Sequence, residues 1–298
     1  MNLVVFLMRK LQHLANDRRI AKNADNYDAR AYCNIPYLRD GSPAHVLDIY
    51  SPQTFQAKED TALPVVLDIH GGAYTSCTKE FNRQQGLYFA SRGWHCVNME
   101  YTLMPEGDMK TVQREIFAVL EWILENADAY GFDTDRIYMT GDSAGGHFVL
   151  LAAAIQSHEA LQKYYGIPKP LRQFRAFAAN CPLADFSQLL EQKEPLFRVM
   201  KYTLKKQLRD PLYIENTDSR LFMDDAYPDV FILTTPEDTL LYSTARSLHE
   251  YMESHHVRHQ YKEYHGSENK LEHVFSVTYP DYKESREAND DILRFFLS

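Results

Sequence analysis

The chain has 298 residues, of which 45% are hydrophobic, and it carries a formal net charge of -9 at neutral pH. This length would allow two domains, but α/β folds of this size are commonly one, so we expect a single domain over residues 1–298. The negative charge argues against nucleic acid or an anionic membrane as partners, because both would be repelled at long range. The four cysteines are scattered without framework spacing, which favours a reducing, cytoplasmic setting.

The first segment of the chain contains an apolar run, residues 3–8, followed by basic residues. This run is too short to span a membrane, and its charge lies on the wrong side for a secretory signal, so we expect no stable membrane insertion. We expect the run to pack on the body of the protein. Docking to a lipid surface, or to a second subunit in a homodimer, are the alternatives.

Strands and helices are predicted to alternate along most of the chain. The first two strands, residues 31–37 and 44–50, flank an Asp-Gly pair that favours a hairpin. The remaining predicted strands are residues 64–69, 94–99, 136–140, 174–180, 229–235 and 259–264, and the predicted helices between them include residues 81–91, 111–129 and 144–155. This alternation implies crossover connections. It predicts an α/β fold with a mostly parallel sheet of about eight strands, helices on both faces and an antiparallel N-terminal edge.

A block that contains consecutive small residues follows the third predicted strand directly: residues 70–74 have the sequence HGGAY. Consecutive small residues let several backbone N–H groups converge on one oxygen without an intervening side chain. An isolated Gly-Gly pair would indicate an ordinary loop. Directly after a buried strand, the pattern instead predicts an oxyanion-binding loop whose donors are the N–H groups of Gly71, Gly72 and Ala73.

A second motif, Gly-x-Ser-x-Gly, surrounds Ser143 between a β-like run, residues 136–139, and a helix-like run, residues 147–154. A strand that turns straight into a helix forces the central serine into a strained conformation that only small neighbours tolerate. By itself this short pattern also occurs in ordinary turns, but the strand and helix around it favour a nucleophile. The N–H of Ala144, at the mouth of the new helix, is predicted to face an anion forming on the attacked carbonyl.

These motifs resemble those of the α/β-hydrolases, and among them the carboxylesterases and lipases akin to hormone-sensitive lipase. The family's G-D-S-A-G-G elbow matches residues 141–146 throughout. Residues 70–73 match the family's H-G-G-G block except at Ala73, and the H-G-G-x-aromatic form of residues 70–74 also resembles the block of kynurenine formamidases and small microbial esterases. Residues 100–106, EYTLMPE, are similar to the family's D-Y-R-L-A-P-E. The resemblance runs from about residue 34 to the C-terminus. It implies an α/β-hydrolase fold and an esterase acting on small to medium acyl groups.

The resemblance also implies a catalytic acid and a catalytic base, because the family's chain order is serine, then acid, then histidine. Asp238 follows a predicted strand where the family's acid stands, and Glu237 beside it is the alternative. His273 lies in a block similar to the family's H-x-F, whereas His265 follows the last strand too closely to reach back over the elbow. The implied triad is Ser143, Asp238 and His273. His70, Tyr74 and Asp142, within the two motifs, are expected to contact the substrate.

A helical lid is a further expectation. About fifty residues separate the strand ending at residue 180 from the next one, longer than a simple crossover needs, and family members carry a lid at this position. We therefore predict a lid over residues 184–226, with helices at 186–192 and 195–207. Phe197, Met200 and Tyr202, or their neighbours, are predicted to roof the site, although the helices could also be a decorative insertion.

No metal or other cofactor is expected, because a serine nucleophile with its own base needs none and the sequence has no zinc-binding pattern. Four further histidines cluster in sequence, but they span a helix end, a turn and a strand start, so they are interpreted as exposed: His249, His255, His256 and His259. The expected partner is a small-molecule ester.

Two alternatives to an esterase stay open. The same scaffold also cleaves amides, as in arylformamide or peptide hydrolysis, and motifs at the nucleophile do not distinguish ester from amide. A non-catalytic binding protein on a hydrolase fold is the second alternative. Such proteins usually lose a triad member, whereas all three are present here.

Overall fold

The computed structural model describes residues 6, 9, 10, 27–184 and 195–298. These residues form one eight-stranded sheet in the order β1-β2-β4-β3-β5-β6-β7-β8. The strands are β1 (Ala29–Pro36), β2 (Val46–Pro52), β3 (Leu63–Ile69), β4 (His95–Met99), β5 (Phe132–Asp142), β6 (Phe177–Asn180), β7 (Val230–Thr234) and β8 (His259–Glu263). β2 pairs antiparallel with β1 and β4, and all other pairs are parallel. The predicted α/β-hydrolase architecture, with its antiparallel N-terminal edge, is confirmed.

Helices cover both faces of this sheet. The helices are α1 (Arg83–Ser91), α2 (Met109–Glu125), α3 (Ala127–Tyr130), α4 (Ala144–Ser157), α5 (Glu159–Tyr165), α6 (Pro195–Thr203), α7 (Pro211–Thr217), α8 (Tyr242–Ser254), α9 (Phe275–Thr278) and α10 (Lys283–Phe296). Successive strand side chains point to opposite faces, so Val65 and Leu67 pack in one apolar cluster with α2 and α4, while Val66 packs in the other with α1 and α10. The central strands are therefore buried on both sides, as parallel strands between helices must be.

Several element boundaries differ from those predicted. The helix expected over residues 111–129 ends at Glu125, and α3 follows as a separate turn that ends at Gly131 in the left-handed conformation. β6 begins at Phe177 and not at Phe174, whose N–H donates to Oε1 of Gln156 and not to a neighbouring strand. β5 is longer, because its N-terminal end pairs with the start of β3 across an irregularity in the register.

Among the described residues, two α-helices lie in the predicted lid region. α6 ends at Thr203, short of the predicted boundary at residue 207, and α7 begins after Asp210, whose side chain accepts a hydrogen bond from the N–H of Leu212. The helix predicted over residues 186–192 lies outside the described residues. Phe197 and Met200 on α6 are buried, whereas the side chain of Tyr202 is half exposed.

The N-terminal segment is described at three residues, among them Phe6 of the predicted apolar run, and its side chain is about half exposed. Arg9 lies against the loops near the elbow: its Nε donates to the carbonyl of Thr75 (2.6 Å), and its Nη2 donates to the carbonyl of Met104 (2.7 Å) and pairs with Glu106 (2.6 Å). Across the described residues, no helix has the length and apolar character that crossing a bilayer requires. All four cysteines are described and are free thiols.

Candidate active site

Ser143 occupies a sharp bend between β5 and α4, with φ of 55° and ψ of -114°. A non-glycine residue in this region is strained, so its surroundings must over-determine the conformation. They do so by hydrogen bonds on both sides: the N–H of Ser143 donates to the carbonyl of Asn180 (2.9 Å), and its carbonyl accepts from the N–H groups of His147 and Leu183 (both 3.2 Å). The bend holds the Ser143 hydroxyl at the carboxyl edge of the parallel strands.

Gly145 is required by the packing of this elbow against β3. A Cβ at Gly145 would lie 2.0 Å from the carbonyl oxygen of Ile69, and one at Gly141 would lie 2.8 Å from backbone atoms of Ile69 and Gly145. Because the obstacles are backbone atoms of β3 and α4, they cannot move aside. The glycines on either side of Ser143 therefore allow α4 to begin directly on top of β3.

His273 and Asp238 complete a hydrogen-bonded chain with Ser143. Nε2 of His273 lies 2.9 Å from Oγ of Ser143, and Nδ1 of His273 lies 2.7 Å from Oδ2 of Asp238. The other carboxylate oxygen of Asp238 accepts from the N–H groups of Leu240 (2.9 Å) and Leu241 (3.1 Å). The structure thus brings together the three side chains that the sequence nominated, although they come from three distant parts of the chain.

Asp238 is held in its ionised form. Burial by itself would raise the pKa of this carboxyl, but the hydrogen bond from His273 and the backbone N–H groups of the following turn outweigh burial and lower it. A carboxylate can only accept, so Nδ1 of His273 carries the proton and the lone pair of Nε2 faces the Ser143 hydroxyl. This is the tautomer in which the imidazole can remove the serine proton.

The two alternative residues occupy other places. Oε2 of Glu237 accepts from the N–H of Leu271 (2.6 Å), so Glu237 anchors the loop that carries His273 and does not contact the imidazole itself. His265 is exposed at the surface. Val274, beside His273, adopts a left-handed conformation with φ of 52° as α9 begins.

The loop after β3 has an unusual backbone that brings several N–H groups near the elbow. Gly72 has φ of 115°, and a Cβ there would lie 2.0 Å from the carbonyl oxygen of Ser76. Ala73 (52°) and Tyr74 (65°) also have positive φ. Within the described part of the chain, no hydrogen bond engages the N–H groups of Gly72, Ala73 or Ala144, which leaves these three as candidate oxyanion donors.

Gly71 is a correction to the predicted set of donors. Its N–H donates to Oδ1 of Asp142 (3.0 Å), so it is already used inside the protein and points away from a substrate oxygen. A Cβ at Gly71 would lie 2.4 Å from Oδ2 of Asp142. Gly71 therefore contributes its small size and its hydrogen bond to Asp142, and the loop is positioned by that contact with the elbow.

His70, Tyr74 and Asp142 are a second correction, because all three are buried and none lines the cavity above Ser143. They hold the loop from below. His70 stacks on Tyr101 with ring centroids 4.3 Å apart, and its Nδ1 donates to the carbonyl of Gly71 (2.8 Å). Because they lie beneath the loop, these three side chains support the candidate oxyanion donors and do not contact the substrate.

A buried pair of carboxyl groups beneath the loop was not predicted from the sequence. The side-chain amide of Asn82 donates both to Asp68 (3.0 Å) and to Asp142 (2.9 Å). Burial, with a further contribution from Asp142, raises the pKa of Asp68 well above its usual value, and burial also raises the pKa of Asp142. The only sequence signal was an acidic residue inside an apolar strand, which is rarely left without a partner.

His147 links the predicted oxyanion loop to the predicted lid region, and no sequence motif singled it out. Its Nε2 donates to the carbonyl of Thr217 in α7 (2.8 Å), and its Nδ1 accepts from the hydroxyl of Tyr74 (2.7 Å). Because a carbonyl can only accept, this tautomer follows from the geometry. Three segments that are distant in sequence are thereby joined around one buried imidazole.

An apolar cavity lies directly above Ser143. Its described walls are Ala73, Ser143, Ala144, Leu183, Phe197, Met200, Leu240, Leu241 and His273. Two of the three residues predicted to roof the site, Phe197 and Met200, are among them, and Tyr202 is not. The accessible space is about 20 Å³, roughly room for one water molecule.

The histidines of the C-terminal region are a third correction. Nδ1 of His249 lies 2.8 Å from Nε2 of His259, and the side chain of His259 is only 2% exposed, so these two side chains meet and are not both exposed as predicted. His255 and His256 are exposed.

Nearer the elbow, possible ligand atoms of Cys181, Asp238 and His273 lie within 4.8 Å of one another. Burial raises the pKa of the Cys181 thiol well above its usual value, which disfavours the thiolate that binds metals.

Solved structures resemble this chain over almost its whole length. Esterase B from Lactobacillus rhamnosis superposes with a TM-score of 0.90 at 28% identity, covering 98% of this chain and 92% of that one. A crystal structure of the same esterase with a C4-C4 SN3 tributyrin phosphonate superposes with a TM-score of 0.88 at 28% identity, covering 98% and 93%.

Curated relatives match shorter segments. The chain is 34% identical over 134 residues to Esterase LipQ of Mycobacterium tuberculosis, which covers 43% of this chain and 30% of that one. It is 32% identical over 107 residues to a probable isoprenylcysteine alpha-carbonyl methylesterase of Arabidopsis thaliana, which covers 36% and 24%. The chain thus spans less than a third of the length of these two relatives.

A family model described as BD-FAE matches residues 47–252. The match includes the oxyanion loop, Ser143 and Asp238, while His273 lies beyond it. Because the match covers more than half of the chain, and the superposed structures share its sheet and its helices, the chain belongs to the BD-FAE family and has the α/β-hydrolase fold of the carboxylesterases akin to hormone-sensitive lipase.

Proposed function

We propose that this protein is a serine hydrolase that cleaves carboxylic esters. The observation that carries the proposal is the continuous chain of hydrogen bonds from Ser143 through His273 to Asp238, with lengths of 2.9 Å and 2.7 Å. A nucleophile within reach of a base that is itself oriented by a third group is the arrangement that activates a hydroxyl. The similarity to Esterase B, at 28% identity over nearly the full length of both chains, supports the same reaction class.

In the first step, Oγ of Ser143 attacks the ester carbonyl while Nε2 of His273 takes the serine proton. The imidazolium that forms is stabilised by the adjacent carboxylate of Asp238. Negative charge develops on the carbonyl oxygen, and the N–H groups of Gly72, Ala73 and Ala144 are proposed to bind it. His273 then gives its proton to the departing alcohol, and an acyl group remains on Ser143.

In the second step, water replaces the alcohol. Nε2 of His273 removes a proton from the water as it attacks the acyl carbon, the oxyanion again forms in the same loop, and the serine oxygen leaves with the proton. The carboxylic acid is released, and the enzyme returns to its starting state. In both steps, every proton transfer passes through Nε2 of His273.

We further propose short acyl groups as the preferred substrates. The cavity above Ser143 is apolar and narrow in its described walls, with Leu183, Phe197 and Met200 close to the nucleophile. A short aliphatic chain suits that apolar lining, because each buried methylene contributes about 0.8 kcal/mol. The walls must move to admit any acyl group, and they must move further for a longer chain. The tributyrin phosphonate with which Esterase B was crystallised also carries four-carbon groups.

The proposal is tested by replacing the nucleophile. Ser143→Ala should lower kcat for p-nitrophenyl butyrate by on the order of 10⁵-fold or more, because the step that it removes has no substitute. A fluorophosphonate probe should label the parent protein and leave Ser143→Ala unlabelled. Ser157→Ala is the matched control, since this serine lies at the other end of α4, where its hydroxyl donates to the carbonyl of Ala153 (3.1 Å). Parent-like activity in folded Ser143→Ala would refute the proposal.

A further inference from the structure

A side-chain cluster near the edge of the sheet is independent of the active site. His249 and Glu253 lie one turn apart on α8, and His259 begins β8 after a short connection. One ligand atom from each of the three lies within 4.8 Å of the other two. We propose that this cluster is a zinc-binding site that joins the end of α8 to the edge strand β8.

The donor set fits zinc. Imidazole nitrogen and carboxylate oxygen bind Zn²⁺ at about 2.0–2.2 Å, and two histidines with one carboxylate leave the fourth tetrahedral position to water. Ligand atoms around such an ion are about 3.3–3.6 Å apart. Here Nδ1 of His249 and Nε2 of His259 are 2.8 Å apart, and Nε2 of His259 is 3.8 Å from Oε1 of Glu253. Shifts of about half an ångström would therefore bring these two distances into the range found around zinc, and the third pair of ligand atoms lies within 4.8 Å.

His259 is oriented for this role by the backbone. Its Nδ1 lies 2.8 Å from the carbonyl oxygen of Val257, which can only accept a hydrogen bond. The Nδ1 atom therefore carries the proton, and the lone pair of Nε2 points at His249 and Glu253. A carbonyl that holds the second nitrogen of a ligand histidine is a recurring feature of metal sites, because it fixes both the tautomer and the ring.

His249 is also held in place. Its ring stacks on Tyr261 with centroids 4.1 Å apart and an angle of 2° between the planes, and the hydroxyl of Tyr261 donates to Glu263 (2.6 Å). Without metal, Nδ1–H of His249 donates to Nε2 of His259. When zinc binds, the neutral imidazole of His249 carries its proton on Nε2 instead, so Nδ1 is free to bind and no proton is lost from the pair.

The cluster is accessible from one side. The side chain of His259 is 2% exposed, whereas that of Glu253 is 67% exposed, so an ion can arrive from solvent at the carboxylate and reach the imidazoles behind it. The three residues share no member with Ser143, His273 and Asp238. Bound zinc would stabilise the folded protein by mass action, because the unfolded chain does not hold the three ligands together.

The test is zinc titration of the full chain after treatment with EDTA and desalting. Isothermal titration calorimetry should show one Zn²⁺ bound per chain, and added Zn²⁺ should raise the melting temperature. His249→Ala, His259→Ala and Glu253→Gln should each weaken binding by at least about tenfold, since even outer contacts of metal sites cost 10–100-fold. Glu253→Gln is the safest variant for folding, because its side chain is largely exposed.

Two controls separate this site from others. His256→Asn removes a neighbouring exposed histidine whose φ is 58°, a conformation that asparagine tolerates, and it should bind zinc like the parent. His273→Ala removes the candidate catalytic base and should also keep the binding. The proposal is overturned if the parent binds no zinc, if Glu253→Gln and the two histidine variants bind like the parent, or if only His273→Ala abolishes binding.

Discussion

Asp238 shows how one side chain is prepared for a single task. Its side chain is completely buried. One carboxylate oxygen accepts a hydrogen bond from His273, and the other accepts from the N–H groups of Leu240 and Leu241. These donors stabilise the charged form against the cost of burial, and together they set the direction of the carboxylate. The neighbouring Glu237 has the same functional group but a different partner, the N–H of Leu271, so chemistry alone does not distinguish the two residues.

Replacement of Asp238 tests its role in orienting the imidazole of His273, because the nucleophile Ser143 stays in place. In Asp238→Asn the amide can donate to Nδ1 of His273, which would place the imidazole proton on Nε2 and remove the acceptor for the serine proton. We expect kcat for p-nitrophenyl butyrate to fall by about 10³–10⁴-fold with a smaller change in KM. Glu237→Gln is the matched control and should lose far less. An equal loss in both variants, measured by steady-state kinetics, would argue against the assigned acid.

At the level of elements, the candidate active site is assembled at the carboxyl ends of β3, β5 and β7, with β6 between β5 and β7. Parallel strands bring their carboxyl ends to one edge of the sheet, so the loop after β3, the elbow and the loop with Asp238 all lie at that edge. Helices of the predicted lid region lie over the site: Phe197 and Met200 of α6 line the cavity, and the carbonyl of Thr217 in α7 accepts a hydrogen bond from His147. Part of the pocket wall is thus supplied by α6, which carries none of the candidate catalytic residues.

This separation predicts that acyl-chain preference can change while the chemistry is retained. Phe197→Ala should enlarge the cavity and raise the ratio of kcat/KM for p-nitrophenyl octanoate over butyrate by about tenfold, since discrimination of small apolar groups by a pocket is worth 1–3 kcal/mol. Tyr202→Ala, on the exposed side of the same helix, should leave that ratio unchanged. An unchanged ratio in folded Phe197→Ala would remove this side chain from the acyl pocket.

At the scale of the whole molecule, the ionisation of Asp238 connects the site with global stability. The pKa of this group is lowered in the folded protein, so its contribution to the free energy of unfolding is complete above its unfolded pKa of about 3.9. That contribution is lost as the pH falls through the folded pKa. The direction follows because the unfolded state binds the proton more readily than the folded state does.

Urea unfolding of the parent and of Asp238→Asn at a series of pH values tests whether the ionisation of Asp238 contributes to the free energy of unfolding. The free energy of unfolding should differ most between the two proteins at pH 6–7, and the difference should shrink below about pH 4, where the unfolded parent takes up the proton. A difference that stays constant down to pH 3 would show that the carboxylate charge does not contribute. Circular dichroism at each pH establishes that both proteins start from the folded state.

Local patterns of apolar residues and glycines were enough to predict the sheet, its antiparallel edge and the places where the chain turns. Motifs and chain order pointed to Ser143, Asp238 and His273. Three-dimensional packing was needed to show which N–H groups stay available, that His70, Tyr74 and Asp142 lie beneath the loop, and that His249 meets His259. These outcomes depend on the direction of side chains and N–H groups from segments far apart in sequence, and residue spacing along one strand or helix does not encode that direction.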